Sequence, residues 1–241
     1  MSSIPFFLYR RLGRWITCEF NFFENSKAAL QNKYEVASFK DVFCHPFYWQ
    51  VFQYLQVEPS LIVDCGAHCG HFSVLANICI NSKFGESNTQ YISIEPNPHL
   101  LSILQNSAKQ AGFLNRMVAH QGLLGKKEGT DTLWVDPKNY LATGLAKNPK
   151  AKPHEVKYLD LDKIVGDRQI DLLKIDIEGG EFSFVDSHLD LLRRTNLIFM
   201  ELHESSKNKR TQLIDQLGSV GLTMAEEPVK CHGQELVIFK R

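Results

Sequence analysis

Apolar and polar positions change rhythm near residue 60. Before it, aromatic and apolar residues run mostly at helical spacing to about residue 58. Phe20, Phe22, Phe23, Phe39, Phe43, Phe47, Tyr48 and Trp49 lie in this run, and Pro46 breaks it. The pattern predicts a mostly helical extension whose aromatics pack on a core. From Ser60 onward, short apolar runs alternate with longer amphipathic ones. Strands are predicted at Leu61–Asp64, Gln90–Glu95, Met117–Leu124, Ile170–Ile177 and Leu197–Leu202. Helices are predicted at His71–Ile80, Pro98–Ala111 and about Lys209–Leu217. Such alternation gives an α/β three-layer sandwich, with a parallel sheet covered on both faces. Two last strands, near Leu222–Glu226 and Glu235–Phe239, are close enough for a hairpin and add an antiparallel strand.

The stretch Lys126–Asp162 interrupts this alternation. Thr132–Val135 and Glu155–Leu159 resemble paired strands, separated by Asn139–Gly144 and a Lys/Pro-rich turn. A long insertion in a compact domain is usually functional, and we read it as a substrate-side flap. The chain therefore divides into an extension (residues 1–58) and a main domain (59–241) carrying the flap at about 126–162.

Composition narrows the partners. Lys+Arg and Asp+Glu both number 27, so the net charge is zero. That argues against nucleic acid, whose binding usually leaves a basic excess. The cysteines sit mostly in apolar contexts with no secretory signal, which suits reduced thiols in the cytoplasm. At the N-terminus, Ile4–Leu8 precedes Arg10, Arg11 and Arg14. This is either a peripheral membrane contact or a basic helix folded on the body. A homodimer stays open.

The richest chemistry lies at Leu61-Ile-Val-Asp64-Cys-Gly66-Ala67-His-Cys-Gly70-His-Phe-Ser73. A buried strand, a glycine loop and a helix start bind nucleotide-like ligands at the end of a parallel sheet. The Gly66-x-x-x-Gly70 spacing is not the dinucleotide fingerprint, and the acid at Asp64 would repel a phosphate. It suits the cationic amino group of an amino-acid-bearing nucleoside such as S-adenosylmethionine. Glu95 ends the second strand before Pro96 and Asn97, where a carboxylate accepts from both ribose hydroxyls. Leu123, in Gln121–Leu124, is placed to flank an adenine. Alternation along Ile170–Ile177 puts Lys174, Asp176 and Glu178 on one side, and His203 follows Glu201 at the next strand end. His203, near neutral in its ordinary pKa, is a candidate general base. The Cys65, His68, Cys69 and His71 cluster lacks a paired C-x-x-C and is read as no zinc site. A divalent ion on Asp176, Glu178, Glu201 and His203 is possible in chemistry but not favoured, so no metal ligand is assigned.

Together these blocks resemble a known family. Val63-Asp64-Cys-Gly66-Ala67-x-x-Gly70-x-x-Ser73, Ser93-Ile-Glu95-Pro96-Asn97-Pro98, Tyr158-Leu-Asp-Leu-Asp162, Asp171-Leu-Leu-Lys-Ile-Asp176-Ile-Glu178-Gly179-x-Glu181 and Met200-Glu201-x-His203 are similar to the FkbM-type methyltransferases. The likeness covers about Ser60 to Arg241. It implies a class I fold: a seven-stranded, mostly parallel, Rossmann-like sheet with a C-terminal antiparallel strand. It also implies methyl transfer from S-adenosylmethionine to a hydroxyl of a sugar, glycolipid or polyketide. Asp64, Gly66, Ala67, Gly70 and Ser73 would hold the methionine part, and Glu95, Pro96, Asn97 and Leu123 the adenosine. Asp176 and Glu178 would face the methyl and the acceptor, with His203 or Asp176 taking the proton. Two other readings stay open on sequence alone: an NAD-linked oxidoreductase, and a methyltransferase-like binding module without turnover.

Overall fold

The structure, a computed structural model, describes residues 18–21, 27–30, 35–136, 143–203, 207–231 and 233–241. Its centre is set by runs that are apolar on both sides. β3 (Leu61–Cys65), β8 (Leu172–Ile175) and β9 (Leu197–Leu202) are buried along their whole length. They join β4 (Gln90–Glu95) and β5 (Met117–Gln121) in one parallel block. The full path is β10 (Thr223–Met224), β12 (Gln234–Lys240), β9, β8, β3, β4, β5. β12 runs antiparallel to β9, as the sequence predicts for the C-terminal hairpin, and a short β11 (Val229–Cys231) extends its far end. Chain order runs outward from β3 to β5, then returns to β8 and runs the other way. That reversal opens a crevice above the carboxyl ends of β3 and β8.

Alternation along each strand divides the core between the two faces. Ile62, Leu172, Phe199 and Ile238 face one layer. Their neighbours Val63, Leu173, Ile198, Met200 and Val237 face the other. The first layer holds α1 (Glu35–Cys44), α2 (Pro46–Gln50), α3 (His71–Phe84) and α4 (Pro98–Gln110). The second holds α5 (Leu161–Val165), α6 (Glu181–Ser187), α7 (Leu189–Arg193) and α8 (Lys207–Ser219). Phe39, Phe43, Phe47, Tyr48 and Phe52 pack with Phe72 and Phe199 in one buried cluster, so the aromatic segment shares the core of the sheet. Among the described residues no helix is long and apolar enough to cross a membrane.

Three expectations need correction. The segment before residue 58 opens on a hairpin, β1 (Cys18–Asn21) with β2 (Lys27–Leu30), rather than helix. Ala28 and Leu30 are both buried, a period of two hidden in a low-hydrophobicity run. Residues 4–15 lie outside the described residues. The third strand stops at Gln121, not Leu124. A side chain at Gly122 would stand 2.3 Å from Leu159, and Leu123 bridges to Tyr158 instead. The fourth strand stops at Ile175. Glu178 and Gly179 take φ of 52° and 94°, which turns Glu178 out of the strand and leaves it 73% exposed.

The insertion forms β6 (Thr130–Val135) antiparallel to β7 (Lys152–Lys157). Thr143 accepts a hydrogen bond from Asn97 Nδ2 at 3.2 Å, and Leu133, Thr143, Gly144 and Leu145 of the insertion line the cavity.

Candidate active site

The crevice holds a cavity of about 570 Å³. Its floor follows from strand register. Cys65 pairs with Ile94 and with Ile175, and Ile175 pairs with Met200. The residues one step further, Glu95, Gly66, Asp176 and Glu201, therefore form a row across four adjacent strand ends, about 4.8 Å per strand. All four line the cavity.

At one end stands Glu95. Its Oε1 accepts from the Asn97 backbone N–H at 2.8 Å, and its Oε2 from the His68 N–H at 2.8 Å. Burial raises its pKa to about 7 against those two bonds. Pro96, Leu123, Leu124, Leu133 and Leu145 make the walls here apolar. A fixed acceptor beside an apolar slot suits a ribose and its base. Asn97 itself is fully buried. It caps α4 by accepting from the His99 N–H at 3.0 Å and does not line the cavity, so its predicted ribose contact gives way to a structural cap.

In the middle, Gly66 is fixed by a close approach. A Cβ there would lie 1.7 Å from the Asp176 carbonyl oxygen, and its φ of 77° is left-handed. Ala67 and His68 continue the loop along the wall. Both His68 ring nitrogens are buried without a protein partner, and burial lowers its pKa to about 4. A buried imidazole with unspent hydrogen-bonding capacity beside a glycine loop suits a polar ligand group.

Behind the loop lies a buried ion-pair group. Lys174 Nζ donates to the Gly66 carbonyl at 2.7 Å and stands 3.5 Å from Asp64 and 3.0 Å from Asp176. Burial opposes its charge, but Asp176 and Asp64 outweigh that and raise its pKa. Asp64 is fully buried and accepts from Ser73 Oγ at 2.7 Å. Asp64 and Ser73 therefore anchor Lys174 and the loop from behind and do not line the cavity, nor does Gly70, whose φ of 80° starts α3. The sequence placed these residues at the right loop but on the ligand side. The missing information was Lys174, whose ammonium consumes the acid.

The predicted general base is also displaced. His203 Nδ1 lies 2.9 Å from Glu181 Oε1, and Nε2 lies 3.2 Å from Glu178 Oε2. Burial disfavours its charge, but the bonds to Glu178 and Glu181 prevail and raise its pKa to about 10. Gln234 Nε2 also lies 2.8 Å from His203 Nε2, so both ring nitrogens are engaged by Glu178, Glu181 and Gln234. Asp176, Glu178 and His203 approach within 4.8 Å of one another. Glu181, expected only to begin a helix, also accepts from the Ile177 and Gly179 N–H groups and so shapes the β8–α6 loop. The other close acid–histidine group, Asp160, Asp162 and His188, is met by Lys127, Lys163 and Arg194.

The far end carries residues that the sequence left unassigned. Glu201 ends β9, 7% exposed, and its Oε1 accepts from the Tyr48 hydroxyl. Burial raises Glu201 to about 7, against the pull of His203. Ser38 and Asp41 of α1, with Cys231 and Gln234, complete this wall.

Comparison with known proteins follows this geometry. The chain matches the Methyltransferase FkbM domain family over residues 64–220. No curated protein matches it. Among solved structures, a methyltransferase FkbM from Methylobacillus flagellatus is 16% identical, with a TM-score of 0.53, covering 86% of this chain and 54% of that one. A putative RNA methyltransferase from Pyrococcus horikoshii is 10% identical, with a TM-score of 0.49 and 81% of each chain covered. A precorrin-6y C5,15-methyltransferase from Geobacter metallireducens is 12% identical, with a TM-score of 0.47, covering 80% and 88%. With most of the domain matched by the family, this chain belongs to the FkbM methyltransferases, which draw their methyl group from S-adenosylmethionine.

Proposed function

We propose that this protein transfers the methyl group of S-adenosylmethionine to a hydroxyl of a small, uncharged molecule of the sugar, glycolipid or polyketide kind. The observation that carries the reading is the division of one cavity into unlike ends. One has a backbone-held acid beside an apolar slot, and the other is lined by acids. Asp41, Asp176, Glu178 and Glu201 all reach that second end, while Lys174 is already paired. A phosphate-rich acceptor would meet several carboxylates there, whereas a polyol meets acceptors for its hydroxyls.

The sulfonium supplies an already activated methyl. The protein's work is then alignment, exclusion of water and removal of a proton. Glu95 accepts from the ribose hydroxyls, and Pro96, Leu123 and Leu124 flank the base. The Gly66–His68 loop holds the amino-acid part, with His68 giving its unspent hydrogen bonds. Asp176, clamped by Lys174, orients the acceptor oxygen over the middle of the row, and Glu178 borders it. Cys44, Cys65, Cys69, Cys79 and Cys231 form no disulfide among the described residues, which fits a reducing cytoplasm. Calorimetric titration with S-adenosylhomocysteine and with NADH tests the reading. Saturable binding of the first alone supports it; preference for NADH contradicts it.

A further inference from the structure

We propose that Glu201, positioned by Tyr48, is the group that takes the proton from the acceptor hydroxyl. This rests on the methyl-transfer reading above and adds a catalytic residue to it.

The argument starts from elimination among the acids and bases at the acceptor end. His203 is enclosed by Glu178, Glu181 and Gln234, which occupy both ring nitrogens. Asp176 is tied to the Lys174 ammonium at 3.0 Å, which opposes the rise that burial gives its pKa and holds the carboxylate in place. Glu178 is largely exposed, and its Oε2 lies 3.2 Å from His203 Nε2. Glu201 meets a neutral donor, the Tyr48 hydroxyl, inside the cavity wall, and Asp41 of α1 lines the same end.

Register supplies the placement. Glu201 stands next to Asp176 on the neighbouring parallel strand, one strand further from Glu95. The same residue pairs with Leu236 of β12, so the antiparallel strand walls the acceptor side. Tyr48 is itself buried against Phe72 and Phe199, which fixes the ring and with it the carboxylate rotamer. A general base must be held within hydrogen-bond reach of the proton it removes, and an ordered hydroxyl partner does this.

The step balances. The acceptor oxygen gives a lone pair to the methyl carbon as the carbon–sulfur bond breaks. The bonding pair returns to sulfur, which becomes a neutral thioether. The hydroxyl proton passes to the Glu201 carboxylate, which becomes a carboxyl and later releases it to water. Charge is conserved: one sulfonium and one carboxylate become two neutral groups.

Protonation behaviour agrees with the geometry. Glu201 faces Tyr48 from α2, Asp41 from α1, Cys231 from β11, Asp176 from β8 and His203 beyond its own strand. Burial raises its pKa and His203 pulls it down, with a balance near 7. A base at that value is ionised above neutrality, so the transfer rate rises with pH through about 7 and then levels.

The test compares wild type with Glu201→Gln, which keeps the shape and the Tyr48 contact. Three readouts are taken: S-adenosylhomocysteine affinity by calorimetry, carbon-13 resonances of labelled glutamate carboxyls across pH, and transfer of radiolabelled methyl to methyl glycosides or to water. Expected are unchanged affinity, loss of one carboxyl titrating near 7, and a kcat lower by about 10²–10⁴ with a flat pH profile. Equal kcat in the variant, or a change confined to KM, overturns the inference, as does a Glu201 midpoint in the ordinary carboxylate range. S-adenosylhomocysteine binding without transfer to any probe by wild type also overturns it, while the cofactor reading stands. Absence of that binding removes the cofactor reading first.

Discussion

Glu95 and Glu201 stand at opposite ends of one row of strand ends, and burial raises both to about 7. Their supports differ. Glu95 is held by two backbone N–H groups, from Asn97 on its own turn and from His68 on the adjoining loop. Glu201 is held by a side chain 153 residues away, the hydroxyl of Tyr48. The cofactor end is thus made of main chain and of glycine geometry, which tolerates little change. The acceptor end is made of side chains lent by the N-terminal helices and by the β11–β12 hairpin, which can be altered without disturbing the first.

The division can be broken at its anchor. Lys174→Met leaves Asp64 buried and unpaired, and we expect a loss of about 3–5 kcal/mol in urea unfolding. Asp64→Asn added to Lys174→Met removes the stranded charge and recovers part of that loss. If the two substitutions simply add, the group is not the coupled unit described here. Next in size is Gly66→Ala. The left-handed φ and the contact with the Asp176 carbonyl together cost about 3 kcal/mol. S-adenosylhomocysteine binding should fall with it, since the same loop lines the cavity.

The smallest effect sharpens the acceptor side. His203 is raised from 6.5 to about 10 in the fold, because the bonds from Glu178 and Glu181 exceed the cost of burial. A raised histidine contributes stability that is complete below 6.5 and is lost as pH rises through about 10. Unfolding free energy measured across that window should decline in wild type and decline less in His203→Gln. An identical slope in both proteins would mean that the imidazole is not held as a cation.

Much of the cofactor end was legible in the sequence. β4 and β9 fall on the residues predicted, because apolar runs closed by Glu95-Pro96 or by Glu201 leave little freedom. Gly66 and Glu95 are legible as part of the strand-end row because local turn chemistry demands them. What failed was side-chain partnership over long sequence distance. Asp64 and Ser73 look like ligand contacts until Lys174, on another strand, is seen to occupy the acid. His203 looks like a base until Glu181 closes on it from the next helix. Glu201 carries no local signal for Tyr48, because the pairing exists only once α2 has packed on Phe199. The hairpin β1–β2 was missed because two buried positions two residues apart are too short a pattern to outweigh a helical neighbourhood.

The central claim is that one cavity binds the cofactor at Glu95 independently of the acceptor end. Calorimetric titration with S-adenosylhomocysteine at pH 8, where Glu95 is ionised, measures it most directly in wild type, Glu95→Gln and Tyr48→Phe. The account predicts affinity lower by about 10–100-fold in Glu95→Gln and within about twofold of wild type in Tyr48→Phe. Equal losses in both variants, or none in Glu95→Gln, would contradict it.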